Sequence, residues 1–223
     1  MGVISDISVI CASTVTIIGI VDWRRTLFAK KRADLAEEVL ASFYEIEESI
    51  KYARNGFSFG HEGLTRPGRE DESDDDVRRL RDSYFVPLER LDKKQELVSR
   101  IYALKYRYQV LFEAEDKPFR ILNSIFGDFN IAVRKLIRES ERPPERMPQQ
   151  QAEAHDRRCE EGEDVIWEAN AEVAGRPDPI QPKVDEMISM VEEVCRPYIA
   201  STLPIWMRWW RWCKDQLSRL MER

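Results

Sequence analysis

What this chain has little of narrows its chemistry. Two histidines and four cysteines among 223 residues leave little material for a metal centre. Cys11, Cys159, Cys195 and Cys213 form no Cys-x-x-Cys pair and no regular framework, so a disulfide-stapled secreted domain is excluded and a reducing compartment is expected for the body. His155 and Cys159 are four apart and could share a helix face, but their neighbours supply no ligand set. Nine glycines argue against a Gly-rich phosphate-binding architecture. A basic excess is also missing: 35 Lys and Arg stand against 41 Asp and Glu, for a net charge of −6, so no nucleic-acid partner is expected. No cofactor and no metal is expected either.

What is present begins with one long apolar run. Ile7 to Val21 carries no formal charge. As a helix, that run spans about 22 Å, short of a hydrocarbon core of about 30 Å. Extension from Met1 to Trp23 covers the thickness and places Asp6 and Asp22 near its ends, where ionised groups cost least. Trp23 then takes an interfacial position, followed by Arg24, Arg25, Lys30, Lys31 and Arg32, while no Lys or Arg precedes the run. The positive-inside rule puts the amino terminus out and the body in the cytoplasm. A single membrane span over 1–23 is therefore expected. The competing reading is a buried core element, since the run is short and includes Ser8, Ser13, Thr14 and Thr16. A cleaved signal lacks the basic leading region it needs.

Residues 24–140 read as a bundle of long helices. Ala36, Val39, Phe43, Ile46, Ile50 and Ala53 alternate spacings of three and four, a seam for self-association or for packing inside a bundle. Asn55-Gly56 supplies a stop. Next comes a glycine-containing loop with Phe57-Ser-Phe-Gly60 and His61-Glu62-Gly63, then the acidic run Glu70 to Asp76. That run lacks the spacing of a calcium loop and reads as a solvated loop ending in a helix cap. A second helix is expected from about Asp76 to Glu113 on a stripe from Val77 and Leu80 to Tyr108 and Phe112, with a kink or restart at Pro87. Tyr102, Tyr106 and Tyr108 beside Lys105 and Arg107 read as core-edge residues rather than a base-stacking patch. A third helix starts at Pro118 and runs to about Arg138, burying Phe119, Leu122, Phe126, Phe129, Val133 and Leu136. A Pro-rich connection fills 141–151, and further helices fill 152–204, one opening at Asp178-Pro179. Trp167 is the expected anchor of the charge-rich stretch before it. No stretch alternates as a strand would, so the class is all-α: a transmembrane helix, an antiparallel helical bundle and a final amphipathic helix.

That last helix, 205–223, concentrates Trp206, Trp209, Trp210 and Trp212. At 100° per residue the apolar side chains fill about half the circumference, opposite Arg208, Arg211 and Lys214. A basic amphipathic helix of this kind suits anionic lipid headgroups. Packing on the body and insertion into a partner groove are the alternatives. Both ends of the chain are thus basic around an acidic body, the arrangement of a domain tethered to a bilayer.

Three stretches resemble a group of uncharacterised bacterial proteins with one amino-terminal span and a cytoplasmic helical body. They are Trp23-Arg-Arg with Lys31-Arg-Ala-Asp-Leu-Ala-Glu-Glu38, Phe57-Ser-Phe-Gly60 with Glu62-Gly63, and Leu104-Lys-Tyr-Arg-Tyr108. The resemblance covers about the first 140 residues and implies an inner-membrane location without implying an activity. The function expected is a membrane-anchored, non-catalytic interaction or scaffold protein, with a protein partner or a second copy of itself. A membrane-perturbing effector acting through the tryptophan helix is the alternative. A third reading, an enzyme using His61 and Glu62, needs a cleft and a partner group that a sequence does not display.

Overall fold

The structure is a computed structural model that describes residues 2–141 and 147–202; for 2–19, 22, 201 and 202 it describes the backbone alone. Its described residues are all-α, with no strand: α1 (Gly2–Ala53), α2 (Asp75–Asp92), α3 (Gln95–Phe112), α4 (Lys117–Glu139), α5 (Gln149–Ile166), α6 (Glu168–Val173) and α7 (Gln181–Thr202). The described residues form two units, one of 2–40 with 192–202 and the other within Ala41–Val191.

In the first unit Ala33, Leu35, Ala36, Val39 and Cys195 are buried. Burial pushes the Cys195 thiol up to about 12, so it stays protonated and unreactive. The Arg32 guanidinium lies over the Tyr198 ring, 5.8 Å from its centroid. Before this packed stretch, Ile20, Val21, Trp23, Leu27 and Phe28 are exposed on α1, together with Arg24, Arg25, Lys30 and Lys31. Among the described residues no helix is long and apolar enough to cross a membrane. The side chains of the apolar run up to Gly19 lie outside the described residues. So does the whole tryptophan segment, with Trp206, Arg208, Trp209, Trp210, Arg211, Trp212 and Lys214.

The second unit is a helical bundle around aromatic side chains. Phe43, Ile46, Ile50 and Ala53 are buried, so this part of the α1 seam packs inside the chain. Phe119 meets Phe43 and Tyr108 edge-on, with centroids 5.3 and 5.4 Å apart. The expected tyrosine pattern divides here: Tyr108 is buried, while Tyr106 is exposed.

Local signals set several helix ends. The Asn55 side chain accepts from the Phe57 N–H just after α1. Asp74 caps α2 through the N–H groups of Asp76 and Val77. Pro118 sits in the first turn of α4, and Asp178 accepts from Ile180 and Gln181 where α7 opens. Three expectations need correction. Pro87 neither ends nor restarts the second helix; it is buried within α2, and the break falls at Lys93–Lys94, where the Lys94 N–H turns back to Leu91. Tertiary packing holds the chain helical through the proline, and the helix stops where an exposed polar stretch offers nothing to bury. Leu80, expected on the inner stripe, is exposed, and Val86, Leu97 and Leu104 are buried instead. The Pro-rich connection is also shorter than expected, since α5 begins at Gln149. At the end of α5, Ile166 is fully buried, with Trp167 half-buried beside it.

α4 packs closely against α5. Gly162 permits it: a Cβ there would lie 2.9 Å from Leu136 Cγ. Gly162→Ala is expected to destabilise by about 1–3 kcal/mol through overpacking, despite the better helix propensity of alanine. Urea unfolding of the two chains measures this.

Candidate functional site

The loop between α1 and α2 is the longest stretch without an α-helix among the described residues of the second unit, and it is heavily fastened. Arg90, on α2, is 3% exposed and uses all five of its N–H donors. Two go to Glu62, from Nε at 2.9 Å and Nη2 at 2.7 Å. The others reach main-chain carbonyls: Nη1 to Tyr52 at 3.0 Å and Asn55 at 2.8 Å, and Nη2 to Phe57 at 2.6 Å. The Tyr52 ring lies 4.8 Å from the same guanidinium. Glu62 in turn accepts from the Phe59 N–H at 2.9 Å. The Arg90 bonds, helped by the Phe59 N–H and opposed by burial, hold the Glu62 carboxyl at about 2. Taking both ions from water costs several kcal/mol each, so the pair stabilises only because every donor is matched.

A second fastening lies next to it. Gly63 adopts a left-handed φ of +81°, and its N–H donates to Glu89 Oε2 at 2.5 Å. A Cβ on Gly63 would come within 2.2 Å of the Asp82 carbonyl oxygen, so only glycine fits against α2. Arg66, buried, grips both Glu72 oxygens at 3.0 and 2.5 Å and Asp82 at 3.1 Å. Arg81 adds a bond to Glu72 at 2.5 Å and one to the Ser140 hydroxyl at 2.8 Å, and Arg69 adds one to Asp82 at 2.9 Å. Glu72 is also held at about 2, chiefly by its bonds to Arg66. The sequence pattern predicts an acidic run solvated up to its cap. Asp74 is that cap, but Glu72 is a structural hub.

The fastened loop turns aromatic side chains outward. Phe57 is 69% and Phe59 54% exposed, with rings edge to face at 5.3 Å. His61 stacks on Phe59 at 5.9 Å, and Leu64 is exposed beside them in the chain. On another wall of the loop, Thr65 and Pro67 border a cleft of about 630 Å³ formed with α2, α3 and α4. Phe85, Leu88, Leu91, Val98 and Phe126 line it with apolar surface; Glu89, Asp92, Gln95, Ser99 and Asn130 are its polar side.

Two further polar clusters of this unit are engaged within the fold. Arg54, 1% exposed, donates to the Val165 and Asp164 carbonyls and pairs with Asp178 at 2.8 Å, tying the end of α5 to the start of α7. His155 reaches the Glu139 carbonyl at 3.2 Å, and Cys159 Sγ lies 3.9 Å from both ring nitrogens. Burial raises the Cys159 thiol above its ordinary range, away from the thiolate a nucleophile needs. Among the described residues no group of three or more His, Cys, Asp or Glu side chains is placed to hold a metal ion.

The chain matches no protein-family model, no curated protein and no solved structure.

Of the sequence-derived site residues, Trp23, Arg24 and Arg25 are exposed on α1, while Ala36, Val39, Phe43, Ile46 and Ile50 are buried. The loop fastenings escape sequence reading. Their one signal is that Asp82 and Glu89 fall seven apart, with Val86 between them at seam spacing, so charges occupy positions that face inward.

Arg90→Met should cost about 3–5 kcal/mol, because it strands Glu62 as a buried unpaired charge. Adding Glu62→Gln should restore part of that loss; chemical denaturation of single and double variants tests both. Glu62 and Glu72 are depressed below their ordinary 4.5, so each contributes stability that is complete above pH about 4.5 and lost as pH falls towards 2. The wild-type unfolding midpoint should drop through that window, and Glu62→Gln should flatten part of the drop.

Proposed function

We propose that this chain is a non-catalytic helical interaction protein, anchored in a bacterial inner membrane by its first 23 residues with its bundle in the cytoplasm. The observation that carries the interaction reading is the loop that commits a saturated buried ion pair to holding Phe57 and Phe59 in solvent. Rigid exposed aromatic rings lose little entropy on binding and anchor protein contacts. The same geometry weighs against acid–base catalysis at this loop. Glu62 has both oxygens on Arg90 and titrates at about 2, far from the neutral range a general base requires.

The membrane part rests on the uncharged Ile7–Val21 run and on the turns of α1 immediately after it. Exposed Trp23, Leu27 and Phe28 sit there among exposed Arg24, Arg25, Lys30 and Lys31. Aromatic rings with cations are the residues that settle at a headgroup layer. On this reading the bundle is antiparallel, the basic tryptophan tail adds a second contact with anionic lipid, and the crest of the loop meets a protein partner or another copy of the chain. The resemblance to single-span bacterial proteins agrees with it.

Membranes from cells producing the full chain should retain it through a carbonate wash and then a high-salt wash. A chain starting at Thr26 should be released by one of the two. Recovery of the full chain in the soluble fraction would contradict the anchor.

A further inference from the structure

We propose that the cleft walled by α2, α3, α4 and the loop at Thr65 and Pro67 binds a small amphipathic cation: an aromatic or branched-alkyl body carrying one ammonium group. The volume, about 630 Å³, is that of a small-molecule site. Phe85, Val98 and Phe126 offer apolar surface to the body. The formal charges lining the cleft are two carboxylates, Glu89 and Asp92, with no Lys or Arg among the lining residues. Glu89 is already engaged, by the Gly63 N–H at 2.5 Å and by Lys93 at 3.0 Å. Asp92 differs: it is exposed, accepts from the Gln95 side-chain amide, and has no cationic partner among the described residues. An uncompensated carboxylate beside apolar surface favours a cation over an anion, whose charge would be repelled and left unpaired. The wall is also preformed. Thr65 and Pro67 flank Arg66, whose three bonds to Glu72 and Asp82 hold that part of the loop in place. Little ordering entropy therefore opposes binding. This assignment goes beyond the membrane reading and holds whether or not the first 23 residues enter a bilayer.

The test is calorimetric titration of the purified full chain with phenylbutylamine and with phenylbutyrate, which share a body and differ in charge. The amine should bind at least tenfold more tightly than the acid. Asp92→Asn should abolish most of that preference, and Val98→Trp should remove binding by filling the cleft. Asp92 is exposed, so Asp92→Asn carries the test should Val98→Trp fail to fold. Equal binding of amine and acid, an unchanged preference in Asp92→Asn, or wild-type affinity in a folded Val98→Trp would each overturn the assignment.

Discussion

The guanidinium of Arg90 is the interaction on which the loop between α1 and α2 depends. It is nearly excluded from water, and its donors all find acceptors at the end of α1 and on the loop that follows: two carboxylate oxygens of Glu62 and the main-chain carbonyls of Tyr52, Asn55 and Phe57. Loop carbonyls left without partners cost about 1–3 kcal/mol apiece when buried. One side chain satisfies two of them, at Asn55 and Phe57, and has its own charge neutralised by Glu62 at the same time. Removing it would free a segment with few apolar side chains to bury, which is why an irregular stretch depends on a charged residue of the adjoining helix.

From that constraint come the two surfaces of interest. Because Glu62 is immobilised, its bond to the Phe59 N–H keeps Phe57 and Phe59 on the outer side of the turn, where they cannot collapse onto the bundle. Because Gly63 and Arg66 are held against α2, the loop also serves as a rigid wall for the cleft. Electrostatics thus do in this unit what a longer apolar loop would do elsewhere. They convert a turn into a fixed surface at the expense of sensitivity to acid, since the carboxylates of Glu62 and Glu72 must remain ionised for the arrangement to persist.

Much of the fold is legible in the residues. The seam from Ala36 to Ala53 is buried along its length, and Asp74, Pro118 and Asp178 mark helix starts through their own side-chain chemistry. These signals are local, carried within a turn or two of the chain. The loop fastenings are not: Arg90 and Glu62 are 28 residues apart, and nothing in either neighbourhood announces the partner. Pro87 does not restart the helix for a related reason, since its intrinsic cost there is outweighed by burial that only the folded unit supplies. Leu80 shows the reverse, an apolar residue at helical spacing that the bundle leaves exposed because α2 turns its charged Asp82–Glu89 side inward.

Amide hydrogen exchange at Phe59 and Gly63 in the unmodified chain addresses the loop most directly, because both N–H groups bond to carboxylates held by the fastenings. Protection at both sites comparable to that of amides inside α4 is expected, although neither lies in a helix. Exchange at the rate of an unstructured peptide at these two positions, with α4 still protected, would contradict it.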